Sequence, residues 1–185
     1  HLSAYSLIVE PGTRLASRIK RGEVAAPSDD VAAHRYQIVD STLSAAGLSW
    51  YEVSNWARPG AECRHNLGYW QGGNWLGIGP GAHSHFSGLR RWNLAHPATW
   101  AAAVVAGVDP AAGSEQVDDE GRRREAIMLG LRLRDGISDS VLDDIGRSAA
   151  AAAAEEGLLL RSADKWVLTD RGRLLADGIV ARLWG

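Results

Sequence analysis

The chain has 185 residues, carries 20 basic against 22 acidic side chains, and contains one cysteine, Cys63. That length holds one or two domains and buries a core without covalent staples. The formal charge of −2 argues against a nucleic-acid partner held by phosphate neutralisation, and the lone cysteine excludes an intrachain disulfide framework or a self-contained cysteine-based zinc or iron–sulfur site.

No apolar run approaches the roughly 20 residues of a transmembrane helix. Residues 1–9 lack an initiator methionine, a basic n-region and a cleavage-like signal. They read as a strand joined midway, so the chain is expected to be the C-terminal part of a longer protein. The reducing cytoplasm is the expected compartment.

In chain order, residues 2–9 form a short apolar run stopped by Glu10, Pro11 and Gly12, which predicts a buried parallel strand. Thr13 caps a predicted helix through Arg21. Ser28, followed by Asp29 and Asp30, caps a longer one whose apolar residues Ala32, Tyr36, Val39, Leu43 and Ala46 recur at helical spacing before Gly47. Residues 48–53 read as the next strand. Strand, helix, strand is a βαβ pattern, so the expected fold class is α/β.

Between residues 50 and 100 the composition changes. This window holds six of the eight tryptophans, four of the six histidines and the glycines 72, 73, 77, 79 and 81, with little helical period. Such a mixture suits tight backbone beside a flat ligand or a packed sheet. A short helix over 98–106 then runs into a loop over 107–114, the expected boundary between a domain over 1–110 and one over 115–185.

Beyond the loop, helices are predicted over 118–133, from a Ser138 cap to about Gly146, and over 148–156. A hairpin pairs 158–160 with 166–168, and a last helix runs over 170–184 with Leu175, Ile179 and Leu183 on one stripe. Helix, helix, hairpin, helix is the order of a winged-helix-like α+β module. Residues 115–185 carry 14 acidic and 11 basic side chains, a net of −3, and the helix before the hairpin has only Arg147 as a basic residue. A major-groove reader presents Arg, Lys, Asn or Gln, so packing or partner docking is expected instead.

Three clusters can carry chemistry. In the first, Cys63 to Trp70, a neutral imidazole can ligate a metal or haem iron while Tyr69 and Trp70 stack on a planar ring system. The plainer alternative is a strand whose His65 and Asn66 satisfy buried backbone groups while the aromatics fill a core; the residues alone weigh towards it. Cys63 reads as a small buried hydrophobe. The second cluster, residues 75–85, places Gly77, Gly79 and Gly81 after an apolar strand. Its free N–H groups can meet a carboxylate or phosphate, and His83 and His85 can form a metal pair. In the third, Glu52, Ser54 and Asn55 stand at a strand end, where α/β barrels place functional groups, unless Glu52 pairs with Arg58 or Arg64.

Three runs together, YEVSNWARPG (51–60), RHNLGYW (64–70) and LGIGPGAHS (76–84), resemble the haem chaperone (HemW) branch of the oxygen-independent coproporphyrinogen III oxidase-like radical SAM proteins. The opening residues 2–13 and the tail fit as well. The resemblance implies a partial radical SAM α/β barrel over 1–110 and a winged-helix-like domain over 115–185. It implies haem binding by His65, Asn66, Tyr69 and Trp70. It also places Tyr5, Leu7, Gly79, Gly81, Ala82 and His83 on the side of S-adenosylmethionine (SAM). The cofactors implied for the full-length parent are haem, SAM and a [4Fe-4S] cluster on a CxxxCxxC motif; the partners are client haemoproteins.

The oxidase branch instead decarboxylates coproporphyrinogen III in haem biosynthesis. With Cys63 alone, these residues lack the thiolates for a cluster, so no radical chemistry is expected of them by themselves. Half a barrel exposes sheet edges, so self-association is also expected.

Overall fold

A computed structural model of the chain describes residues 1–184, which group into two compact units divided between residues 62 and 63. In the first unit, β1 (Leu2–Ser3) is followed by α1 (Arg14–Lys20), α2 (Asp29–Ala45), β2 (Ser49–Glu52) and β3 (Asn55–Ala57). Both predicted caps form: the Thr13 hydroxyl accepts the N–H of Ala16 at 3.1 Å and the Ser28 hydroxyl that of Val31 at 3.5 Å.

The βαβ expectation is only half met. β1 and β2 run in the same direction, yet β3 lies between them, antiparallel to both, with Leu2 and Trp50 each opposite Trp56. The reason is the two-residue connection at 53–54, which permits only an antiparallel return. Glu52 tightens it: its carboxylate accepts the Ser54 N–H at 3.1 Å and the Asn55 side-chain amide.

The predicted strand over 2–9 shrinks to two residues. β3 is three residues long, so the chain passes its end after the Ala4 N–H bonds Ser54 O at 2.9 Å. Tyr5, Leu7 and Ile8 are then 73%, 64% and 75% exposed rather than buried. The core of this unit is Trp56, fully buried, whose indole N–H donates to Asp40 at 2.7 Å while its ring lies 5.6 Å from that of Tyr36. Tyr36 and Asp40 are one helical turn apart, so a single tryptophan fastens α2 to the sheet.

The second unit begins with α3 (Arg64–Trp70), where the plainer sequence reading placed a strand. A three-stranded antiparallel sheet follows, β4 (His83–Phe86), β5 (Leu89–Asn93) and β6 (Ala111–Gln116), with α4 (Pro97–Val105) between the last two strands. The loop expected over 107–114 thus contains most of a strand. Asp109 and Pro110 turn the chain back, and the Asp109 carboxylate accepts the Ala111 N–H at 3.1 Å and pairs with Arg91 on β5.

The rest of this unit comprises α5 (Asp119–Gly130), β7 (Ile137–Ser138), a 3-10 turn (Asp139–Val141), α6 (Asp144–Glu155), β8 (Leu159–Ser162), β9 (Lys165–Leu168), α7 (Asp170–Arg173) and α8 (Ala176–Leu183). The three strands form an antiparallel sheet in the order β7-β9-β8. Ile127, Leu131, Leu159, Ile179 and Leu183 are among its fully buried side chains.

Two helix predictions change here. Ser138 caps only the 3-10 turn, and Asp143 caps α6, accepting the Gly146 N–H at 2.7 Å. Gly146 is therefore not a stop: a Cβ there would lie 2.8 Å from Leu183 O, so glycine lets α6 and α8 approach. The final helix is broken in two, which turns Leu175 outward at 48% exposure and makes Ala176, Ile179, Val180 and Leu183 the buried stripe.

Ile179→Ala is expected to cost about 2–5 kcal/mol in urea unfolding, as for a buried aliphatic deletion, against about 0.5 kcal/mol or less for Leu175→Ala. On α5, hydrogen bonds from Arg123 and then Arg124 hold the Glu120 carboxyl below its usual 4.5, at about 2. A depressed folded-state value means that its stabilisation is complete above pH 4.5 and lost as pH falls towards 2. Glu120→Gln is expected to flatten that stretch of the acid unfolding curve.

Candidate functional site

The helical form of α3 decides which motif residues meet. His65 and Tyr69, four apart, share a face and their rings touch edge-on, 4.7 Å between centroids. Tyr69 in turn meets Trp75 edge-on at 5.0 Å, and Trp75 lies 4.9 Å from His85 on β4. Four rings thus run in series from the exposed His65 to the buried His85, 9% exposed. Asn66 is half-buried on the same helix, and Cys63 occupies its N-cap position without a side-chain cap bond.

Trp75 and His85 are joined by two backbone bonds, Trp75 N–H to His85 O at 2.9 Å and His85 N–H to Trp75 O at 3.0 Å. The Trp75 indole donates to His83 O at 3.1 Å. His85 Nδ1 stands 3.0 Å from Gly73 O. A carbonyl only accepts, so Nδ1 carries the hydrogen and Nε2 keeps its lone pair in the neutral ring.

The glycine loop is held from within. A Cβ on Gly77 would strike the His83 carbonyl, and the Gly77 N–H donates to Ser84 Oγ at 2.9 Å. Gly79 has φ +107°, and its carbonyl accepts the Asn93 amide at 2.8 Å. The N–H groups of Gly81 and Ala82 bond Leu94 O and Gly79 O. Three of the N–H groups expected to be free for an anion are therefore used inside the loop. His83 stacks on Trp92 across the strand pair, 6.0 Å and 28° between rings, while His85 packs on Trp75; the expected histidine pair is engaged separately.

Tyr5 and Leu7 belong to the other unit. They line a cavity of about 540 Å³ with Val31, Tyr36 and Trp56, and the Tyr5 hydroxyl accepts from Asn55 at 3.4 Å. Glu52 and Asn55 are buried in their hairpin, where they hold the turn.

Sequence reasoning missed a second cavity, of about 500 Å³, lined by Trp70 from the motif helix, His85 from β4, Arg122 and Leu129 from α5, Ile137 from β7, and Leu133 from the turn between them. The Trp70 indole nitrogen is buried without a hydrogen-bond partner. No spacing in the sequence links residue 70 or 85 to residues 122–141. The only available signal was His85 itself.

The HemN C-terminal domain family matches residues 117–175, the stretch that forms the far wall of this cavity. Along its whole length the chain is 54% identical to the Heme chaperone HemW of Mycobacterium tuberculosis, of which it covers 47%. It is 33% identical to the Heme chaperone HemW of Bacillus subtilis, of which it covers 51%. The chain therefore spans about half the length of the curated relatives it matches. Among solved structures, the coproporphyrinogen III oxidase (HemN) from Escherichia coli, a radical SAM enzyme, matches 85% of this chain and 42% of its own with a TM-score of 0.65 at 16% identity. The fold is one shared with a radical SAM enzyme. Residues 117–175 thus match the HemN C-terminal domain, and the whole chain is homologous to about half of these heme chaperones.

Gly77→Ala is expected to displace the His83 carbonyl and loosen the loop, with a cost of about 1–3 kcal/mol by overpacking. Thermal melting and near-ultraviolet circular dichroism of the tryptophans check it.

Proposed function

We propose that the chain is the haem-holding portion of a haem chaperone that passes haem to client haemoproteins. The observation that carries this reading is the α3 motif: an exposed imidazole, His65, stands at the head of a ring series whose neighbour on the helix, Trp70, lines an apolar cavity. Asn66 and Tyr69 complete the haem-contacting set. An exposed histidine beside Tyr69 suits a cargo that must leave again, since a departing haem meets it before solvent. Its similarity to two heme chaperones supports the same reading.

In this proposal residues 1–110 are the end of a radical SAM barrel and residues 115–185 a winged-helix-like domain that docks clients. The alternation of α5, β7, α6 and the β8–β9 hairpin supports the latter. Tyr5, Leu7, Gly79, Gly81, Ala82 and His83 face the SAM side. A [4Fe-4S] cluster does not fit the residues present, because Cys63 is the chain's one thiol and no group of three His, Cys, Asp or Glu stands together among the described residues. Among the described residues no helix is long and apolar enough to cross a membrane, and we place the protein in the cytoplasm. The exposed Tyr5, Leu7 and Ile8 support association with further chain or with a second copy.

Hemin titrated into the chain is expected to bind saturably with a shifted Soret band. Trp70→Ala is expected to weaken it on the order of tenfold, the scale of one lost aromatic contact plus its buried area. Absence of saturable binding by the unaltered chain overturns the reading.

A further inference from the structure

We infer that the cavity between α3, β4 and α5 is the seat of the haem, with its iron bound by His85 Nε2 rather than by a motif residue. This rests on the haem-binding reading above and assigns the site within it.

The cavity's volume of about 500 Å³ lies within the roughly 300–1,000 Å³ of small-molecule sites. Leu129, Leu133, Ile137 and Val141 give it apolar walls. Its one imidazole is built as an axial ligand is built. The Gly73 carbonyl at 3.0 Å takes the Nδ1 hydrogen, and the Trp75 ring at 4.9 Å orients the plane. Fixing the tautomer and raising the basicity of the far nitrogen is what an outer partner does for a ligating histidine.

The ligand class follows from the donor count. A bare divalent ion takes several protein ligands, and no group of three His, Cys, Asp or Glu stands together among the described residues. An iron porphyrin brings four nitrogens of its own and asks the protein for one imidazole. The Trp70 ring lines the same cavity, and its indole N–H is buried without a hydrogen-bond partner. Arg122, which pairs with Asp119, also borders the cavity and can meet a propionate carboxylate, while the Glu125 carboxylate on the same lining is paired with Arg90. His65 has none of these supports: it is exposed, and its recorded ring contact is with Tyr69.

The test is hemin titration of the 185-residue chain, read by the Soret band and by affinity. His85→Ala is expected to lose the ligated Soret band and at least about tenfold in affinity, and added imidazole is expected to restore the band. His65→Ala, which removes a haem contact and not the ligand, is expected to lower affinity while keeping the ligated Soret band. Leu129→Trp, which fills the cavity while leaving every residue of the α3 motif in the sequence unaltered, is expected to block binding. Circular dichroism and thermal melting verify each fold. Should His85→Ala not fold, His85→Gln, which keeps a donor for Gly73 O, and Leu129→Trp decide the matter. Unaltered band and affinity in the His85 variants, or normal binding by Leu129→Trp, overturn this assignment and leave the haem reading standing. If the unaltered chain binds no hemin, the reading itself falls.

Discussion

Two backbone hydrogen bonds between Trp75 and His85 close the loop that contains the three alternating glycines, and much of the candidate site hangs on that closure. They bring the start of the glycine loop to β4 and lay the Trp75 indole between Tyr69 and His85. The closure leaves room for no side chain at Gly77, because the returning His83 carbonyl occupies that space. The same approach aligns His85 with the carbonyl of Gly73, whose own N–H bonds Gly68 O at the end of α3. Helix, loop and strand are thus tied to one imidazole through main-chain contacts, which do not depend on flexible side chains for their precision.

Under the haem-holding proposal, that arrangement lets one short motif serve two tasks. The helical period separates His65 and Tyr69 from Trp70, so part of the motif is exposed and part borders an apolar cavity. A protein that must hold a hydrophobic, metal-bearing ring and later release it needs both an enclosed apolar wall and an accessible edge. The wall is contributed largely by α5 and β7, within the stretch that matches the HemN C-terminal domain family. Under this proposal the C-terminal domain is a structural half of the ligand site as well as a docking surface.

Much of the local structure was legible in the sequence. Thr13, Ser28 and Asp118 sit at helix starts because their short oxygens satisfy backbone N–H groups within the same few residues. The β8–β9 hairpin follows equally from a local apolar pattern. The failures share a cause. The strand over 2–9 was misjudged because its length depends on a three-residue partner 50 positions away. Gly146 was misread as a stop because its role is to admit the backbone of α8.

For the site, the sequence by itself determined the residue types and their clustering: an imidazole, an amide and two aromatics within six positions, then a glycine-rich turn with two more histidines. These are choices of chemistry, and chemistry is written residue by residue. Only the tertiary structure decided that α3 is a helix, that His83 and His85 are engaged with different tryptophans, and that Trp70 and His85 share a cavity with α5. Those are relations between segments up to about 70 residues apart in the chain. No periodicity or spacing carries them, because they exist only once the loop between Trp75 and His85 has closed.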